Sequence, residues 1–159
     1  MPRYEIVPAT EEHALFVADH MRAADAAEVK ALGFDPRPAM LESMRASRDP
    51  RAGLVEGVPV LVFGVWVPTL LSDEARPWML GTEDLPKSGT AVLRRARPVV
   101  EEWQDRYSLL RTSLDARNTV AKRWLLWLGF RLSEEPEAYC GPDRVPFYTA
   151  WRARLGYGH

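Results

Sequence analysis

The sequence contains a single cysteine, Cys140, among its 159 residues. One thiol cannot close an internal disulfide, and a Cys-rich zinc module is excluded with it. A charge excess of either sign is missing too: 21 basic and 22 acidic side chains give a formal net charge of −1. A nucleic-acid-binding domain carries a basic excess, so no nucleic-acid partner is expected. Long apolar runs are absent. The longest, Val58 to Leu71, is interrupted by Pro59, Pro68 and Thr69, and a membrane span takes about 20 apolar residues. The first residues carry Glu5, Glu11 and Glu12 where a signal peptide would be basic and then apolar. No membrane association is expected, and a reducing cytoplasm is the expected setting. There is no internal repeat, low-complexity stretch or linker. What remains, 47% hydrophobic and 27% charged residues, is the make-up of an ordinary globular domain. At this length one domain, residues 1–159, is expected to bury roughly 70% of its unfolded surface.

Local patterns give the element order. Residues 3 to 8 read as a strand ending at Pro8. Thr10 is placed to cap a helix, with Glu11 and Glu12 at the positive end of its dipole and Ala14, Leu15, Ala18 and Met21 on one face. A second helix is expected from Asp25 to Leu32, stopped by Gly33, and a third from Pro38 to the break at Asp49-Pro50. Gly53 to Glu56, a turn at Gly57, and Val58 to Val67 read as a hairpin. Its second arm is apolar on both faces, which puts it inside a sheet covered by helices on each side. Trp78 to Leu80 is a further strand ending at Gly81. Thr90 to Tyr107 is the strongest helix pattern, interrupted by Pro98, a residue expected to kink it. Leu109 to Leu114 reads as a strand, Asn118 to Leu128 as a helix stopped by Gly129, and Phe130 to Leu132 and Val145 to Trp151 as strands. The fold class is α/β: one mixed central sheet with helices on both faces. The strand-helix-strand unit at the centre predicts that Leu109 to Leu114 runs parallel to Trp78 to Leu80 and splays from it.

The segment D-A-R-N-T-V-A-K-R-W-L-L-W-L-G-F, Asp115 to Phe130, resembles the acyl-CoA-binding half of the GNAT acetyltransferases. Asn118, Ala121, Trp124, Gly129 and Phe130 fall in register with that family's pattern, and the element order of the whole chain also matches. The pieces P-W-M-L-G-T (Pro77 to Thr82), L-R-R-A-R-P-V-V (Leu93 to Val100) and a late P-F-Y further resemble short GNAT-like proteins encoded by bacteriophages, some of them internal or assembly-related virion proteins.

The resemblance implies acetyl-CoA as the bound thioester and an amine, of a small molecule or a protein, as its acceptor. It implies that Met79, Leu80 and Gly81 orient the thioester, and that Asn118 belongs to the CoA-binding region. It also places the CoA pyrophosphate at a helix N-terminus, where free N–H groups favour an anion. The one fit is Pro86-Lys87-Ser88-Gly89-Thr90-Ala91: Gly89 and Ala91 match, Lys87 adds charge, and Pro86 stands where the family has Arg or Gln. Arg94, Arg95, Arg97, Arg117, Lys122 and Arg123 are further candidates for phosphate. The family's proton-donating Tyr falls on Leu125, which cannot donate, so Tyr107, Tyr139 or Tyr148 would have to substitute. The catalytic candidates are Glu83 as base and Tyr148 as acid. Pro86 and Leu125 keep a second function open, a non-catalytic virion, assembly or host-interaction protein. The oligomeric state stays open as well, a homodimer included.

Overall fold

The computed structural model describes residues 2–156. In chain order the elements are β1 (Tyr4–Pro8), α1 (Glu11–Asp19), α2 (Ala23–Ala31), α3 (Pro36–Ala46), β2 (Arg48–Val55), β3 (Val58–Trp66), β4 (Glu74–Gly81), α4 (Ala91–Arg106), β5 (Leu109–Asp115), α5 (Thr119–Trp127), β6 (Arg131–Leu132), β7 (Ala138–Cys140) and β8 (Val145–Ala153), with a 3₁₀ turn over Pro86–Ser88. α1, α4 and α5 begin within a residue of where their sequence signals place them, while α2 and α3 begin two residues earlier than expected, at Ala23 and Pro36. Thr10 Oγ1 accepts the His13 N–H at 3.2 Å while His13 Nδ1 accepts the Thr10 N–H at 3.1 Å, which closes a reciprocal cap on α1. Gly33 and Gly129, just beyond α2 and α5, take φ of 92° and 94°, the left-handed stop that favours glycine.

The strands form one mixed sheet in the order β1-β2-β3-β4-β5-β8-β6, with β7 added on β8. β1 to β4 are successive antiparallel neighbours, whereas β4 and β5 run parallel. The parallel direction is what the central strand-helix-strand unit predicts; the pair meets only at Glu74–Leu109 and Ala75–Leu110, before the expected Trp78 to Leu80, and past Ala75 the two strands splay. β3 is the inner strand its composition implies, buried at six successive positions from Val60 to Val65. Helices cover both faces. On one, α1 and α3 pack Val17 and Met40 against Ala52, Val62 and Leu80. On the other, α4 and α5 pack Val92, Leu93, Trp103 and Trp124 against Leu61, Phe63, Leu110 and Leu114.

Three strands depart from the sequence expectation. The Asp49-Pro50 pair does not end a segment; it lies inside β2, which starts at Arg48. The register slips between Arg48 and Arg51 and Asp49 takes φ 44°, so Pro50, which has no N–H, sits at an irregularity where the ladder asks for none. β4 begins at Glu74 rather than Trp78 because β3 and β5 both supply it with partners. β7 has no strong pattern of its own and exists by pairing with β8. α4 continues through Pro98 as one helix of 16 residues.

Leu110 is fully buried at the start of the splay. Leu110→Ala is expected to cost about 2–5 kcal/mol, the usual range for a truncated core leucine. The measurement is a urea titration, in which the midpoint falls and the slope stays unchanged.

Candidate functional site

Splaying opens a gap between β4 and β5, and the gap holds a slot of about 590 Å³. Its walls are Pro77 to Leu80 on one strand and Arg111 to Leu114 on the other. Above lie Asp25, Glu28 and Val29 of α2, and below lie Val100, Trp103 and Leu125 of the α4–α5 layer.

The edge of β4 that faces the gap follows from strand alternation. The Thr82 N–H bonds the Val60 carbonyl on the β3 side, so the main-chain groups of Pro77, Met79 and Gly81 point the other way. Gly81 agrees: its N–H donates to Asp25 Oδ2 at 2.9 Å and its carbonyl accepts the Arg22 N–H at 2.8 Å. Proline has no N–H. Met79 therefore holds the one main-chain N–H of this edge that faces the gap without a strand partner.

The wide end of the slot is tied together by side chains. Arg22 Nη1 donates to Asp25 Oδ1 at 2.7 Å, Asn118 Nδ2 donates to the same oxygen at 3.0 Å, and Arg22 Nη2 donates to Asn118 Oδ1 at 3.3 Å. All three residues are buried, at 4%, 3% and 2% exposure. The Arg22 guanidinium lies 4.9 Å from the centre of the Trp124 ring. Asn118 Oδ1 also accepts the Ala121 N–H at 3.3 Å and so caps α5. Burial raises the Asp25 carboxyl above its usual range, while Arg22, the Gly81 N–H and Asn118 pull it back down.

Glu28 is the second acid of α2 in the slot. Its Oε1 accepts the Asp115 N–H at 2.7 Å, which fixes it at the end of β5. Burial pushes its carboxyl up from 4.5 to about 7, and the nearby Asp25 and Asp115 push the same way against the Asp115 N–H and Arg22. A carboxyl that half-ionises near neutrality inside a cleft is suited to accept a proton.

The residues singled out in the sequence divide into three groups. Met79, Leu80, Asn118 and Leu125 line the slot. Gly81 borders it with both main-chain groups engaged. Lys87, Ser88, Gly89, Thr90 and Ala91 lie in the connection from β4 to α4. There Thr90 caps α4 without a side-chain bond, and the first intrahelical N–H used is that of Arg94. Gly89 takes φ 61°, and nothing lies within 4 Å of where a Cβ would sit. Lys87 pairs with Asp84 at 3.0 Å.

Neither catalytic candidate lines the slot. A Glu83 carboxylate oxygen accepts the Ala23 N–H at 2.7 Å, at the start of α2. Tyr148 pairs with Leu114 across β5–β8 and carries the Lys122 ammonium 5.8 Å above its ring. Tyr107 is buried at the end of α4 and Tyr139 is exposed. Among the basic candidates, Arg95 lies over Tyr4, Arg97 over Trp127, and Arg117 is chelated by Asp115. Arg94 and Arg123 have no ion-pair partner among the described residues.

The sequence reading passed over Arg22, Asp25 and Glu28. One signal was there: Asp25, Glu28, Val29 and Leu32 share a helical face by their three- and four-residue spacing, so two acids sit in an otherwise apolar stripe.

The cluster is expected to behave as a unit. Arg22→Ala leaves the Asp25 carboxylate buried and unpaired, a loss of about 3–5 kcal/mol. Combining Arg22→Ala with Asp25→Ala should cost less than the two single losses added, by about 0.5–3 kcal/mol. Urea titration of the three variants measures that coupling.

No protein-family model matches the sequence, and no curated protein matches it. Solved structures do match. A candidate acetyltransferase from Acinetobacter baylyi superposes with a TM-score of 0.73 at 12% identity, covering 100% of this chain and 96% of its own. The ribosomal-protein-S18-alanine N-acetyltransferase from Escherichia coli gives 0.67 at 13% identity over 99% of both chains. A GNAT-family acetyltransferase from Bacillus anthracis gives 0.66 at 14% identity over 98% of both. Likeness at this level of identity carries the architecture, and the splayed mixed sheet described above is the GNAT acetyltransferase fold.

Proposed function

We propose that this protein transfers an acyl group from a CoA thioester to an amine, with Glu28 as the general base. The observation that carries this reading is a carboxyl shifted to about 7 in a slot whose other wall presents the free Met79 N–H. The residues at hand suit a CoA thioester. The uncapped N-terminus of α4, open at Gly89 and followed by the unpaired Arg94, is suited to hold phosphate. A bound thioester would supply an acyl carbon already activated toward amines. Glu28 would take the proton from the attacking nitrogen while the Asp115 N–H holds its carboxylate in place. The Met79 N–H would stabilise negative charge on an oxygen held in the gap. Among the solved neighbours, the ribosomal L7/L12 alpha-N-protein acetyltransferase RimL was obtained in complex with CoA; that likeness supports the same ligand here.

Two features favour the second reading, a scaffold that has kept the fold without the activity. Leu125 offers no proton in the slot, and the Arg22–Asp25–Asn118 cluster occupies the Gly81 edge of β4. The phage-encoded likeness of the sequence segments belongs with this reading, as a virion or host-interaction role.

One experiment separates the two: acetyl-CoA is offered with a panel of small amines and peptides while free thiol is followed from pH 5 to 9. For an enzyme, kcat/KM rises with pH to a plateau through an apparent pKa of about 7. Glu28→Gln should remove that step and lower kcat by about 10²- to 10⁴-fold. If no amine is acetylated and millimolar CoA does not shift the melting temperature, the scaffold reading replaces the enzyme.

Glu28 also leaves a mark on stability. The unfolded side chain ionises near 4.5 and the folded one near 7, so between these values the folded state binds more protons. The Glu28 contribution is therefore fully present below pH 4.5 and is lost as pH rises toward 7. Comparing urea midpoints of the wild type and Glu28→Gln across that window should show a steeper fall in the wild type, the remaining fall belonging to groups such as Asp25.

A further inference from the structure

The two ends of the slot differ in charge. At the wide end Glu28 is held by the Asp115 N–H, and Glu137, which also lines the slot, has its N–H on the carbonyl of Phe147, the register partner of Asp115. At the narrow end, where β4 and β5 still pair, Arg76 and Arg111 line the slot. Arg111 Nε lies 2.7 Å from Glu74 Oε1. Glu74, Arg76 and Trp78 share one face of β4 by alternation, so Arg76 stands beside that pair. Its guanidinium lies 5.8 Å from the centre of the Trp66 ring and has no carboxylate partner among the described residues. Arg111 is thus paired with Glu74, whereas the exposed Arg76 has no ion-pair partner among the described residues.

We propose that the acceptor is a small ω-amino acid, its amine directed to Glu28 and its carboxylate held by Arg76 at the narrow end. This rests on the acyl-transfer reading for the role of the amine. The chemistry of the two ends selects the class. A carboxylate meets a planar guanidinium through two parallel hydrogen bonds, while the acid end favours a cationic amine on approach. The span fits a linear molecule. Arg111 and Asp115 stand four residues apart on β5, about 13 Å along an extended strand, and Arg76 and Glu28 line the slot near its two ends. That leaves a chain of several carbon atoms between the amine and the carboxylate. The indole of Trp78, in the wall between, offers an apolar surface to such a chain.

The test uses 6-aminohexanoate, with hexylamine as the same chain lacking a carboxylate. Both are titrated calorimetrically into the whole protein, with and without CoA. The wild type should bind 6-aminohexanoate about tenfold more tightly than hexylamine, the worth of a hydrogen-bonded charge pair. Arg76→Ala should abolish that preference and leave hexylamine binding unchanged; Arg76→Lys should keep part of it. Equal affinities in the wild type, no binding of either compound with or without CoA, or a preference that survives Arg76→Ala would each overturn the proposal. Acetyl transfer is followed on the same samples. A carboxylate preference without transfer to either amine counts against acyl transfer alone and leaves the Arg76 site standing.

Discussion

The Arg22–Asp25–Asn118 cluster is the contact on which the slot depends. Two parallel strands that stop pairing after two residues expose main-chain groups toward each other, and buried main-chain groups need partners. Asp25 meets that need on β4 by accepting the Gly81 N–H, and the Arg22 N–H takes the Gly81 carbonyl. Glu28 meets it on β5 by accepting the Asp115 N–H, while Asn118 caps α5 and bonds Asp25. One connection, from α1 to α2, thereby spans the wide end and holds both arms apart. The splay is not a loosened sheet. At its wide end side chains stand in for the missing ladder, at Gly81 on β4 and at Asp115 on β5, while the Met79 N–H stays free.

That arrangement sets the electrostatics of the slot. Arg22 is consumed by Asp25 and Asn118, so it reaches Glu28 only as a weak opposing charge. Glu28 keeps one hydrogen bond, from Asp115, and burial raises its carboxyl with Asp25 and Asp115 adding to the shift. Its raised carboxyl follows from this division: α2 carries two acids three residues apart, and the cation serves the first of them. If Arg22 faced Glu28 directly, the carboxyl would fall toward its ordinary range and lose its suitability as a base near neutrality.

The sequence made the fold legible where a pattern is local or strongly two-sided. The run from Val60 to Val65 can only belong to a strand buried on both faces. Asn118 and Gly129 bracket α5 by their capping chemistry, without reference to the rest of the chain. β2 was half hidden because Asp49-Pro50 reads as a break, and only pairing with β1 and β3 makes that irregular stretch a strand. β7 was hidden entirely, since β8 creates it. The candidate site was legible in its β4 and α5 parts and illegible in its third. Asp25 meets Gly81 across 56 positions and Asn118 across 93. No spacing rule operates at such distances; a buried acid in an amphipathic helix is visible in sequence only as an interruption of the stripe.

Leu125 is the other side of the same design. The face of the slot opposite Glu28 is built from Leu125, Leu128 and Phe130, so the described walls place proton-accepting chemistry on one side and apolar surface on the other. For acyl transfer this asymmetry is tolerable because the leaving group is a thiolate. An ordinary thiol ionises near about 8.5, far below an alcohol, so its anion departs without a proton donor at moderate cost. The attacking amine has no such latitude: bound as an ammonium it has no lone pair to offer until a base removes its proton. In the proposed reaction the one proton that must be moved is therefore the amine's, and Glu28 of α2 is the carboxyl in the slot suited to take it.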